Sequence, residues 1–165
     1  MRFLPFENII YESDLTESEL RDRIKQYIEP KKFFRIGLKN KNTKPYEGYL
    51  KGNHFEINRI INYRNSFLPQ IEGVITRVNG VTRINVIMRM YFFLYIFVIL
   101  MYGGIGLGFM VILISSINNN KFEPAIFIPL GMLIFLYLLT MGGFKSESSI
   151  SKKDLEKILN SRIKE

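Results

Sequence analysis

The chain has 165 residues, with 23 Lys and Arg against 15 Asp and Glu and a formal net charge of +8. Its length excludes two large domains. The absence of cysteine and the single histidine, His54, exclude disulfide frameworks, thiolate metal sites, cysteine nucleophiles and clusters of histidine ligands.

The opening segment MRFLPFENIIYESD does not read as a signal peptide, because Pro5 and Glu7 interrupt its apolar stretch. Thr16 and Glu19 then form a capping box, flanked by a Leu15/Leu20 staple, that starts a helix. Leu20, Ile24, Tyr27 and Ile28 fall on one stripe of that helix, and Pro30 ends it.

Beyond Pro30 the period changes from 3.6 to 2. Candidate strands run over Lys32 to Leu38, Tyr46 to Leu50, His54 to Ile61, Ile71 to Val78 and Val81 to Met88. Asn79-Gly80 is the strongest hairpin signal, because both residues tolerate the positive φ angles of a type I′ turn. The expected sheet is small and antiparallel, and its last strand is half-buried, with Thr82, Ile84, Val86 and Met88 on one face.

The segment Arg59 to Pro69 mixes Arg, Asn and Tyr with bulky apolar residues at a connection between strands. Arg59 and Arg64 there are candidate contacts for an anion: a phosphate, a lipid headgroup or a partner carboxylate. The plainer reading makes them surface arginines beside an edge that Pro69 protects from pairing. His54 and Glu56 share one strand face, but spacing identifies no nucleophile for them to serve, so no catalytic residue is assigned. Lys31-Lys32-Phe33-Phe34-Arg35 resembles a nucleic-acid surface in composition only, and no nucleic-acid partner, cofactor or metal is expected.

No charge occurs from Met90 to Asn120, and Tyr91 to Ile117 reads as a membrane span of 27 residues. A bilayer core of about 30 Å needs about 20 helical residues. A second uncharged run, Pro124 to Phe144, has 21 residues, and only the six residues Asn118 to Glu123 separate the two, so a hairpin is expected. Residues 1–89 carry 16 Lys and Arg and residues 145–165 carry six, which leaves Lys121 alone in the connection. Both ends are therefore expected to face the cytoplasm from an inner membrane crossed twice. Arg83, Arg89 and Lys145 stand where a basic collar would meet anionic headgroups.

Within the first run, Gly103-Gly104-Ile105-Gly106-Leu107-Gly108 lacks the Lys and the preceding strand of a phosphate loop. Gly104 and Gly108 are instead a small-xxx-small pair for packing against the second span or a second copy of the chain. Pro129 and Gly131 are candidates for a bend in the second span. In the tail, Ile150 to Leu155 reads as a further cap, with Ser151 inside it, and Leu155, Ile158, Leu159 and Ile163 as an amphipathic stripe.

The segment FEINRIINYRNSFLPQIEGVI, followed by a strand, a Gly-rich span and a second span, resembles small uncharacterised two-span membrane proteins of bacteria. That resemblance covers most of the chain and implies no particular activity. The element order also looks like a reduced helix-grip layout, which implies a pocket for a lipid or another apolar ligand. The expectation is an α+β domain built from residues 1–90 and completed by an amphipathic helix over 145–165, interrupted by a transmembrane hairpin at 91–117 and 124–144. Its expected role is to bind a protein partner or organise a membrane complex, without catalysis; the alternatives are a lipid- or apolar-ligand-binding module at the membrane surface and, third, a small pore-forming effector that oligomerises through Gly104 and Gly108. Its expected partners are membrane lipids and either a protein or a second copy of itself, met through the hairpin.

Overall fold

A computed structural model describes residues 4–31, 44–119 and 124–163. The expected strand Lys32 to Leu38, and Lys121 in the connection, lie outside the described residues. Chain order is β1 (Phe6–Ser13), α1 (Glu17–Tyr27), β2 (Ile28–Glu29), β3 (Tyr46–Lys51), β4 (His54–Arg59), β5 (Gln70–Val78), β6 (Val81–Arg89), α2 (Phe92–Asn118), a 3-10 turn (Pro124–Ile126), α3 (Phe127–Leu159) and β7 (Ser161–Ile163). The fold is α+β.

The seven strands form one sheet in the order β2-β3-β4-β5-β6-β1-β7. The sheet is mixed, which corrects the all-antiparallel expectation: β2 leaves α1 and pairs in parallel with β3 through Ile28↔Tyr46 and Glu29↔Glu47. The other ladders are antiparallel. The β5–β6 hairpin turns on Asn79 (φ 52°) and Gly80 (φ 83°), the positive torsions that the Asn-Gly pair tolerates.

Period-2 alternation sends Ile9, Tyr11, Phe55, Ile57, Ile71, Ile75, Ile84, Val86 and Met88 to the inner face, where all are buried. Two helices cover that face. α1 starts on the expected capping box, with the Glu19 N–H donating to the Thr16 hydroxyl (3.3 Å) and the Thr16 N–H to the Glu19 carboxylate (2.8 Å). It buries Leu20 and Ile24. The second cover is the C-terminal half of α3, which buries Phe144, Leu155, Ile158 and Leu159. Tyr11, Tyr46, Phe55 and Phe144 are the largest fully buried side chains and fill space between the layers.

The second apolar run and the tail helix are one continuous helix of 33 residues, not two elements. Ser151 therefore caps nothing: it is fully buried in mid-helix, where a small side chain lets α3 lie close to the sheet. The helix ends at Asn160 in the left-handed region, and Ile163 belongs to β7 instead of the apolar stripe. Ser13 of β1 donates its hydroxyl to the carbonyls of Leu159 (2.9 Å) and Asn160 (3.2 Å), which pins the helix end to the sheet. Pro129 lies in the first turn of α3, which begins at Phe127, where a proline lacks only an N–H that no helical carbonyl would accept.

α2 and α3 contact each other, and both are long and apolar enough to cross a membrane. The chain itself leaves them largely uncovered: Phe93, Leu100, Leu107, Val111, Ile128 and Phe135 are all exposed. The sheet's outer face is also open. It carries Phe6, Ile10, Tyr49, Val74, Val78 and Val81 as exposed apolar residues among charged ones.

Candidate functional site

The segment between β4 and β5 folds onto α3 through a single carboxylate. Glu147 is 3 % exposed, one helical turn beyond the last apolar residue of the second run. It accepts from Arg59 Nη1 at 2.9 Å, from Asn65 Nδ2 at 3.2 Å and from the Tyr63 hydroxyl. A buried charge needs such a set of donors to offset its lost hydration. Accepting the Tyr63 hydroxyl, the Glu147 carboxylate raises the pKa of that phenol. Asn65 Nδ2 also approaches the Gly143 carbonyl (3.4 Å), and its Oδ1 accepts the Phe67 N–H (2.9 Å), which shapes the loop. Phe67 then lies against Gly143 so closely that a Cβ there would stand 2.8 Å from its ring.

A second clamp holds the opposite flank of the helix. Glu7 of β1 takes Lys145 at 2.5 Å and Lys152 at 2.9 Å. Burial pushes the Glu7 carboxyl up, but the hydrogen bonds from Lys145 and Lys152 outweigh it, and the carboxyl sits below its usual range. On the first flank Arg59 Nε also reaches Asp154 at 3.7 Å, and the Tyr46 hydroxyl reaches the same carboxylate at 3.4 Å. Burial raises the Tyr46 phenol strongly.

Lys145 and Lys152 are two helical turns apart, and so are Glu147 and Asp154. α3 thus presents a cationic edge, a central stripe of Ser148, Ser151, Leu155 and Leu159, and an anionic edge. Each edge meets the opposite charge on the sheet: Glu7 on β1, Arg59 on β4. The arrangement fixes the position and rotation of a helix. It brings no nucleophile to a base, and among the described residues no group of three or more His, Asp or Glu could hold a metal ion.

The residues singled out from sequence are distributed as follows. Arg59 and Lys145 belong to the two clamps. Arg83 pairs with Glu12 at 2.8 Å and Arg89 pairs with Glu72, both on the outer face. Arg64 is exposed on the connecting loop. Gly104 and Gly108 line an apolar groove of about 370 Å³ between α2 and the start of α3, and a Cβ at either would meet nothing within 4 Å. Close packing of the two helices therefore does not use these glycines, and their face stays open. His54 and Glu56 do share a face, but Glu56 is engaged by Lys31 (2.5 Å), the Tyr49 hydroxyl (2.8 Å) and Gln70 (2.8 Å).

Glu7, Glu147 and Asp154 were not singled out from the sequence. The seven-residue repeat of like charges along the tail was the available signal.

No protein-family model, no curated protein and no solved structure matches this chain.

Proposed function

We propose that the chain is an integral inner-membrane protein with α2 and the apolar part of α3 crossing the bilayer as a hairpin. The sheet and its covering helices then form a cytoplasmic module that binds a protein partner or organises a membrane complex. The observation that carries this reading is the continuity of α3. One helix has an uncovered apolar half that needs lipid and a second half that completes the core of the water-facing module. The Lys and Arg distribution, 16 before the first span and six after the second, supports a cytoplasmic location for both ends.

The clamps at Glu7 and Glu147 add a mechanical role, because they hold the module at a fixed rotation relative to the bilayer. A rigidly held module presents one face. Here that is the outer face of the sheet, where Ile10, Tyr49 and Val74 are 43 %, 45 % and 42 % exposed.

The experiment is cross-linking and identification of co-purifying proteins from mild detergent, comparing the native chain with the outer-face double variant Tyr49→Ser, Val74→Ser. Specific loss of a protein from the variant is expected. A native chain that purifies as a lone monomer, or a variant that keeps the same companions, contradicts the reading.

A further inference from the structure

The last row of the outer face, nearest the membrane helices, is Phe6, Arg89 and Gln70, paired side by side across β1, β6 and β5. Immediately after Arg89 the chain becomes uncharged and α2 begins. Between this row and the first turn of α2 lies a crevice of about 430 Å³, lined by Leu4, Phe6, Arg89, Met90, Phe92 and Tyr95 among others. That volume lies within the range of about 300–1,000 Å³ typical of small-molecule sites. Its wall is mainly apolar and aromatic, Arg89 is the one cation among the described residues that line it, and the Arg89 side chain is 53 % exposed although one of its nitrogens is held by Glu72.

We propose that this crevice binds one anionic phospholipid, with the headgroup phosphate on Arg89 and an acyl chain along Met90, Phe92 and Tyr95. The proposal rests on the membrane reading above, because it places the first turn of α2 at headgroup depth. One feature suits a phosphate, and two more favour a phospholipid over a free anion. A guanidinium has five N–H donors in a planar fork suited to phosphate, so holding Glu72 does not exhaust it. The wall beside it offers hydrocarbon contact that inorganic phosphate cannot use. Aromatic side chains such as Phe92 and Tyr95 at the entry to an uncharged helix match the interfacial belt of a bilayer. Glu72 acts against the ligand, since it competes with phosphate for the same guanidinium.

The test is native mass spectrometry of the full chain released from detergent micelles doped with phosphatidylglycerol or with phosphatidylcholine. The native chain should retain one phosphatidylglycerol in preference to phosphatidylcholine. Arg89→Gln should lower that retention about tenfold. Leu4→Glu, at an exposed position, should also lower it by placing a carboxylate at the crevice without touching the core. Glu72→Gln should raise it by freeing Arg89. Equal retention of the two lipids, or no change in Arg89→Gln and Leu4→Glu, overturns the proposal. Displacement of phosphatidylglycerol by millimolar inorganic phosphate overturns the lipid assignment in favour of a small anion. A chain that stays dissolved without detergent sinks the membrane reading itself, whereas a detergent-requiring chain with no Arg89-dependent preference sinks this site alone.

Discussion

Arg59 on β4 and Glu147 on α3 lie 88 residues apart in the chain and meet at 2.9 Å, with the carboxylate 4 % and the guanidinium 21 % exposed. The contact joins the strand before the loop to the helix that leaves the apolar run. It lies where the α+β module meets the two long apolar helices.

Removing one partner of a buried pair leaves the other charge without its counterpart. Glu147→Ala leaves Arg59 with only the longer contact to Asp154 and also frees Tyr63 and Asn65, so it should destabilise the module by about 3 kcal/mol. Glu147→Gln keeps an acceptor for Asn65 and should lose less. Thermal unfolding of detergent-solubilised variants measures both, and equal stability of Glu147→Ala and the native chain would contradict the clamp.

Gly73 should be sensitive to alanine and Gly104 indifferent to it. A Cβ on Gly73 would stand 2.0 Å from the Phe55 ring, which is fully buried directly across the ladder. Gly73→Ala should therefore lose about 1–3 kcal/mol from overpacking, and Phe55→Leu in the same chain should recover part of it. At Gly104 nothing lies within 4 Å, so Gly104→Ala should leave the module's stability unchanged. Chemical denaturation of the three variants decides the point. If the open glycine face joins two copies of the chain, Gly104→Ile should lower the oligomer mass measured by light scattering while leaving unfolding unaltered.

Acid should weaken the outer face at a defined place. Lys31, hydrogen-bonded to Glu56, holds that carboxyl down at about 2 against desolvation, which pushes it the other way. A carboxyl whose folded pKa lies below its unfolded value of 4.5 contributes stability fully above 4.5 and loses it as pH falls toward about 2. Native stability should fall across that window, and Glu56→Gln should flatten part of the fall. The Glu7 carboxyl, where the hydrogen bonds from Lys145 and Lys152 outweigh burial, and the Glu19 carboxyl, lowered by its hydrogen bonds with Thr16, contribute with the same sign. Denaturation midpoints between pH 6 and 2 test this, and parallel curves for the native chain and Glu56→Gln would contradict it.

Local signals were legible in the sequence because their causes are local. Thr16 and Glu19 cap α1 reciprocally, and Asn79-Gly80 turns the β5–β6 hairpin, since both depend on torsions and hydrogen bonds within four residues. The start of α2 was visible because charge stops at Arg89. The continuity of α3 was hidden by a change of pattern: the helix is apolar all round before Phe144 and amphipathic after it, so its environment changes while its backbone does not. Ser151 looked like a cap because its hydroxyl suits one, whereas its small size is what the packing uses. The clamps were hidden for another reason. Glu7 and Lys145 are 138 residues apart, and nothing in sequence spacing couples a strand at one end of the chain to a helix at the other. The parallel pairing of β2 escaped for want of length, since two residues cannot show a period.

The chain's lack of cysteine makes its membrane topology directly measurable by single-cysteine labelling in intact and opened cells with a membrane-impermeant maleimide. Val78→Cys in the β5–β6 hairpin and Lys153→Cys on α3 are exposed positions in the α+β module, and Asn119→Cys lies just beyond α2. The first two should react only after the cells are opened, and Asn119→Cys should react in intact cells. Labelling of positions 78 and 153 from opposite sides would break the module in two, and with it the continuous path of α3 from bilayer to core.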